Sequence, residues 1–319
     1  MKVIDLLNTA QQNRKTLFSF ELLPPLKGNS IQKVFNTIDL LREFDPQYIN
    51  ITSHRDEVQF VANGKGVYQK QKTRKRPGTV AVAAAINHEY KIPVVPHVIC
   101  GGFTPEETEN ALIDLNFLGI HDLLLLRGDA SKRHQFLPAE GEHRYALDLV
   151  RQVNDINEGK YLDGTFAEAF ETPFSYGVAG YPEKHEEAPN MESDLYYLKQ
   201  KVDAGAEYIV TQMFFDNQKF FQFVEKARKA GIEVPIVPGL KPISALSQLN
   251  ILPQVFKVDI PEELAREVRK CKNNEAVKQV GTEWGIQQGK ELIKYGVPSL
   301  HLYTLMASQC VKEIAKEIF

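Results

Sequence analysis

Hydrophobic positions along this chain switch repeatedly between a two-residue and a roughly four-residue period. Residues 17–25 read LFSFELLPP: apolar residues alternate with Ser19 and Glu21 until a proline pair stops the pattern. A strand is predicted there, ending before Pro24 because proline cannot donate to a sheet ladder. Glu21 therefore sits at the strand's C-terminal tip, among Phe18, Phe20, Leu22 and Leu23. Upstream, residues 3–14 form a short amphipathic helix. Downstream, residues 30–43 carry Ile31, Val34, Phe35, Ile38 and Leu41 at helical spacing, with Ser30 as N-cap.

The same alternation continues to the end of the chain. Strands are predicted over 48–52, 94–99, 121–126, 175–179, 208–213, 234–237 and 300–305. Helices are predicted over 79–90, 104–118, 145–157, 194–204 and 218–230, with several helical segments in 244–294 and one more after the last strand. The 104–118 helix opens with TPEE, a capping signal with proline at the first helical position. A basic, glycine-containing loop is expected after the second strand, and residues 159–173 are irregular.

Eight strands each followed by helix, with near-continuous apolar runs such as HDLLLLRGD, call for a parallel sheet covered on both faces. The fold expected is α/β, a (β/α)8 TIM barrel, in preference to an open doubly wound sheet. No linker composition, low-complexity tract or repeat divides residues 1–319, so one catalytic domain is expected.

Composition narrows the partners. The hydrophobic share of 43% in 319 residues is enough for a large core. A net charge of -3 gives no general attraction to nucleic acid or an anionic membrane. The basic run over 65–76 has Tyr68 as its single interleaved aromatic and reads as a solvated loop. No stretch is long and apolar enough to span a bilayer, and the N-terminus lacks a signal-peptide pattern. Cys100, Cys271 and Cys310 are widely spaced, consistent with a reducing, cytoplasmic location. Neither a CxxC pair nor HExxH is present, so no metal site is expected.

In a barrel, catalytic groups come from the C-terminal ends of the strands. Those ends here are Glu21, Thr52, His97, Arg127 with Asp129, Tyr181, Gln212 and Tyr303. Each has an ordinary structural use, Glu21 as a salt-bridged acid and Asp129 as a helix cap, but so polar a set marks a functional mouth. An acid beside apolar neighbours keeps its proton nearer neutral pH, which suits a general acid. GxGxxG after a strand, Walker A and the GxSxG elbow are all absent, so a nucleotide cofactor would be held by the barrel itself. A metal-dependent aldolase or hydrolase on the same barrel is the alternative, but His97 and Asp129 make a thin ligand set.

These residues also carry a family resemblance. FSFELLPP, PHVIC at 96–100, LLLLRGD at 123–129, AGYPEKH at 179–185, the 198–216 run ending TQMFFD, VPGLKPIS at 237–244 and HLYTL at 301–305 occur in order. This ordered set resembles the methylenetetrahydrofolate reductases, flavin enzymes that make methyltetrahydrofolate. The resemblance implies FAD as cofactor, NADH or NADPH as reductant, folate as substrate, ping-pong hydride transfer and a role in methionine synthesis. It implies Glu21 as general acid, and the chemistry below adds Asp129 as a catalytic carboxylate. FAD contacts are implied for Thr52, His97, Arg127, Gly128, Asp129, Tyr145, Ala146, Tyr181, His185, Ala188, Asp194 and Lys201. Folate contacts are implied for Glu21, Gln212, Gln248 and Tyr303, with Gln212 also near the nicotinamide. A homo-oligomer is a family-level expectation, and no regulatory domain is left over. One departure stands out: Ala307 replaces an arginine expected near the folate's glutamate tail, with Lys241 the first candidate to substitute for it.

The chemistry agrees. A methylene bridge between two amines becomes an electrophile when one nitrogen is protonated and leaves, which requires an acid. The cation so formed is stabilised by a carboxylate, and the hydride comes from reduced flavin. Arg127 and Lys201 suit a diphosphate or the negative edge of reduced flavin.

Overall fold

The computed structural model describes residues 1–62, 64, 66–128, 142–305 and 307–319. Helix α1 (Val3–Gln12) precedes β1 (Leu17–Leu22), and α2 (Gln32–Leu41) leads to β2 (Tyr48–Ile51). Two further strands, β3 (Glu57–Ala62) and β4 (Tyr68–Thr73), come before α3 (Thr79–Tyr90). Next in order are β5 (Val94–Ile99), α4 (Pro105–Phe117), β6 (Asp122–Leu126) and α5 (Ala146–Asn157). They are followed by β7 (Ser175–Gly180), α6 (Met191–Asp203), β8 (Tyr208–Thr211) and α7 (Asn217–Lys229). Short strands β9 (Ile236–Val237) and β10 (Gly239–Leu240) flank Pro238. Helices α8 (Gln248–Phe256), α9 (Glu262–Lys270) and α10 (Asn274–Tyr295) then lead to β11 (Ser299–Tyr303) and α11 (Ser308–Ile318).

The main sheet runs β10-β11-β1-β2-β5-β6-β7-β8-β9, and every neighbouring pair is parallel. Because β9 pairs with β8 while β10 pairs with β11, the one segment 236–240 joins the two sheet edges and closes the ring. Proline cannot donate at its centre, but the Pro238 carbonyl accepts from the His301 amide at 3.0 Å. The result is the expected (β/α)8 barrel, its seventh strand split by a proline rather than ending before it.

Strand residues alternate between two cores. Outward residues of β1, β2 and β6, such as Phe18, Phe20, Ile49, Leu123 and Leu125, pack on the buried stripes of the surrounding helices, including Val34, Ile38 and Leu41 of α2. Inward residues Leu17, Tyr48, Val95, Leu124, Tyr208, Val210 and Val237 form a separate cluster closed from below by Val3, Leu7 and Ala10 of α1. The amide of Val3 donates to the Asp122 carboxylate at 2.9 Å, fastening this plug to the foot of β6. Burial raises the Asp122 pKa to about 6. The plug closes the N-terminal end of the barrel.

Helix α4 starts as the TPEE pattern requires. Thr104 Oγ1 accepts from the Glu107 amide at 3.2 Å, and the Glu107 carboxylate accepts from the Thr104 amide at 2.9 Å. Two expectations fail. Ser30 does not directly precede the helix: α2 begins at Gln32, and Ser30 Oγ accepts from the Gln32 amide at 3.1 Å. The basic loop after β2 is an antiparallel hairpin, with Glu57 opposite Thr73 through to Ala62 opposite Tyr68. Gly64 and Gly66, at φ +76° and +75°, lie in its turn region, where positive φ suits glycine. The hairpin stands clear of the barrel, with Phe60 and Tyr68 exposed, so no one-sided apolar alternation marked its strands.

Candidate active site

The open end of the barrel has a polar floor. Alternation along β1 turns Ser19 and Glu21 inward, and the sheet register places Glu21 between Asn50 of β2 and Tyr303 of β11. Glu21 is 6% exposed. Its Oε2 lies 3.6 Å from His97 Nε2, and the same imidazole nitrogen is 3.2 Å from Asn50 Nδ2. Burial, reinforced by His301, pushes the His97 pKa down to about 3. The imidazole is therefore neutral near pH 7, and its approach to Glu21 is a contact with a dipole rather than an ion pair. Below this level, Ser19 Oγ is 3.0 Å from His301 Nδ1, and Tyr48 donates to Ser299 Oγ at 3.2 Å. His301 is also fully buried, with its pKa likewise held down to about 3.

Tyr303 reaches over the 236–240 segment, its hydroxyl donating to the Thr211 carbonyl at 2.7 Å. Gly239 permits this crossing: a Cβ there would lie 2.4 Å from Thr211 O and 2.7 Å from the Tyr303 hydroxyl. Lys241, just past β10, is 6% exposed and donates to the Leu305 carbonyl at 3.3 Å.

A second group of residues lies beyond the ends of β6 and β7. Arg127 pairs with Glu187, whose amide donates to His185 Nδ1 at 3.2 Å. The His185 amide donates to the Asp194 carboxylate at 2.9 Å, tying the loop after β7 to α6. The Tyr181 and His185 rings meet edge to face, centroids 4.8 Å apart. Lys201, on the same helix as Asp194, donates to the Ala179 carbonyl at 3.1 Å. Burial draws its pKa down to about 8, against the opposing pull of Asp194. Burial raises Asp194, and the His185 amide lowers it. His185 is lowered to about 4, first by burial and then by Arg127. Arg127 and a poorly solvated Lys201 on one side of the mouth, with the N-terminus of α5 at Ala146 after β6, match the donors a dinucleotide diphosphate requires.

Thr52 follows β2, its amide donating to the Leu22 carbonyl at 3.0 Å. Arg127 and Gly128 follow β6, Tyr145 and Ala146 open α5, Tyr181 follows β7, and Gln212 follows β8. His185 and Ala188 lie in the loop before α6. Gln248 opens α8, where its Oε1 accepts from the Ser244 amide at 2.7 Å. Asp129 lies outside the described residues. Asn50, His301 and Lys241 join the floor without having been picked out as strand-end groups. Asn50 and His301 were legible in retrospect as polar residues two positions before Thr52 and Tyr303 on the inward alternation. Lys241, named above as a candidate for the folate tail, lies inside the mouth. Among the described residues, no three His, Cys, Asp or Glu side chains cluster as metal ligands, and no helix is long and apolar enough to cross a membrane.

Comparison with known proteins bears on both fold and family. The family model described as methylenetetrahydrofolate reductase matches residues 6–318. "Methylenetetrahydrofolate reductase (NADH) 1" of Arabidopsis thaliana is 33% identical over 316 residues, covering 96% of this chain and 48% of the relative. The chain thus spans about half the length of the first curated relatives it matches. "5,10-methylenetetrahydrofolate reductase" of Escherichia coli is 30% identical over 289 residues, covering 90% of this chain and 85% of that protein. Among solved structures, a Clostridium thermocellum protein described as binding two copies of 5-methyl-5,6,7,8-tetrahydrofolic acid superimposes with TM-score 0.58 at 15% identity, covering 98% of both chains. A Mycobacterium tuberculosis tryptophan synthase gives TM-score 0.52 at 10% identity, covering 99% of this chain and 98% of that one. These two likenesses concern the barrel fold.

Proposed function

The chain belongs to the methylenetetrahydrofolate reductase family, and from that premise we propose that it reduces methylenetetrahydrofolate to methyltetrahydrofolate by a ping-pong reaction with FAD and NADH or NADPH. The observation that carries this reading is Glu21, a buried carboxyl at the C-terminal end of the barrel strands, beside a neutral His97. FAD, when bound, supplies the hydride chemistry linking nicotinamide and folate. Arg127 and Lys201 would hold its diphosphate. Asp194 would keep the loop around His185 in place through the His185 amide, and Tyr181 and His185 would form an aromatic wall.

Glu21 holds a proton for the bridge nitrogen of the folate. Transferring it breaks the carbon–nitrogen bond and leaves a cationic carbon ready for hydride. Asp129 would stabilise that cation. Tyr303 and Gln212, from adjoining rims, orient the folate ring, and Gln248 reaches it from α8. The methyl product would feed methionine synthesis, and the working form would be a cytoplasmic homo-oligomer.

The test is a visible absorption spectrum of the purified protein. A flavin spectrum that bleaches on anaerobic addition of NADH or NADPH, and returns on addition of methylenetetrahydrofolate, is expected. A protein that stays colourless after incubation with FAD overturns the reading.

A further inference from the structure

Lys241 is a charged group in the barrel mouth to which the reaction above assigns no task. The register Gly239↔His301 and Leu240↔Leu302, continued one residue past the end of β10, brings Lys241 level with Tyr303, and Tyr303 in turn pairs with Glu21. On this end of the barrel, alternation turns Gly239 and Lys241 inward, as it does Glu21 and Tyr303. Lys241 and Glu21 thus flank Tyr303 from its two sides on one row of the inner wall. Both are 6% exposed.

We infer that Lys241 is a positioning residue for the acid: its ammonium faces the Glu21 carboxyl and stabilises the carboxylate that remains once the proton has left. The inference rests on the reading of Glu21 as general acid.

Three observations support it. First, burying an ammonium is costly unless an anion can face it, and Glu21, once its proton has left, is the carboxylate whose charge acts on Lys241. The other group acting on it is the buried thiol of Cys310 on α11. Second, His97, which approaches Glu21 from β5, is neutral and adds no positive charge near pH 7. Third, Lys241 spends one N–H on the Leu305 carbonyl, which anchors the side chain at the foot of the loop after β11.

The consequence is chemical. An amine attached to a carbon bridge is a weak proton acceptor, so the donor must be a strong acid at the moment of transfer. A cation facing the carboxyl strengthens the acid by stabilising its conjugate base. The proton moves from Glu21 to the amine nitrogen, the nitrogen leaves with the bonding pair, and Lys241 keeps its own protons throughout. Burial has drawn Lys241 to about 8, so its charge acts on Glu21 below that pH and disappears above it.

The experiment titrates Glu21 directly by infrared difference spectroscopy, with Glu21→Gln assigning the carboxyl band. Lys241→Met, which keeps the stem and removes the charge, should raise the Glu21 pKa by about 1–3 units, the usual effect of losing a close opposite charge. Lys241→Arg should hold it near its original position. In the unmodified protein the carboxylate band should shift a second time near pH 8, as Lys241 loses its proton; this readout needs no variant to fold. The pH profile of reduced-enzyme oxidation by methylenetetrahydrofolate should move upward with the band in Lys241→Met and meet the unmodified profile above pH 8.

An unmoved band and profile would make Lys241 a structural residue and overturn the inference. A downward move of the profile would overturn it in favour of Lys241 as a proton store. A moved band with folate reduction surviving Glu21→Gln would uphold the pairing but overturn Glu21 as the acid.

Discussion

Replacing Glu21 with Gln separates the two half-reactions. Gln keeps the shape and hydrogen-bonding capacity of the side chain in a site that is 6% exposed, so little packing is lost. The neutral His97 at 3.6 Å needs no charged partner. Lys241 loses the carboxylate that holds its pKa up, so it falls below about 8 and sheds its proton more readily instead of standing buried and charged. The structural penalty is therefore small, and the chemical one dominates. Removing a general acid typically costs about 10²–10⁴ in rate, equivalent to about 3–5 kcal/mol of transition-state stabilisation. Methylenetetrahydrofolate turnover should fall by that factor. Reduction of bound flavin by NAD(P)H, followed by stopped-flow or with an artificial electron acceptor, should change by much less because it needs no proton on the folate nitrogen. Collapse of both half-reactions with loss of FAD would mean that Glu21 supports the barrel mouth structurally. No change in either would place the acid elsewhere.

Other expectations concern the plug, the cofactor side and the rim. Asp122→Asn should stabilise the protein at pH 7. With the folded pKa raised from 3.8 to about 6, the folded state binds more protons than the unfolded one between those values. Stability therefore falls as pH rises through that window, by up to about 3 kcal/mol. Asn keeps the acceptor for the Val3 amide, so the melting temperature should rise at pH 7 and change little at pH 3; a fall at pH 7 would refute this. Lys201→Ala should lower flavin occupancy, checked by absorbance ratio after dialysis, and full occupancy with an unchanged reduction potential would remove Lys201 from the cofactor side. Gly239→Ala should destabilise the protein by about 1–3 kcal/mol through overpacking against Thr211 and Tyr303, measured by denaturant unfolding.

Much of this architecture is local in origin and was legible in the chain. The apolar run of β6, the capping box of α4 and the proline stop after β1 each need only their own neighbours, so spacing alone specifies them. Glu21 was visible for the same reason, as an isolated carboxyl in an alternating apolar strand that ends one residue later at Leu22. The hairpin β3–β4 was hidden because both its faces meet water, which removes the alternation that would announce a strand. Closure of the ring was also hidden: Pro238 looks like a strand stop, but the two short segments around it pair with different neighbours, and that is a property of distant chain. The same holds for the floor of the mouth. Alternation shows that Asn50, His301 and Lys241 each take one of two faces, but which of them share a row with Glu21 depends on the register between strands far apart in sequence. Only the closed barrel sets that register. With it come the neutral state of His97, through burial that no single strand provides, and the meeting of Lys241 with Glu21 across Tyr303.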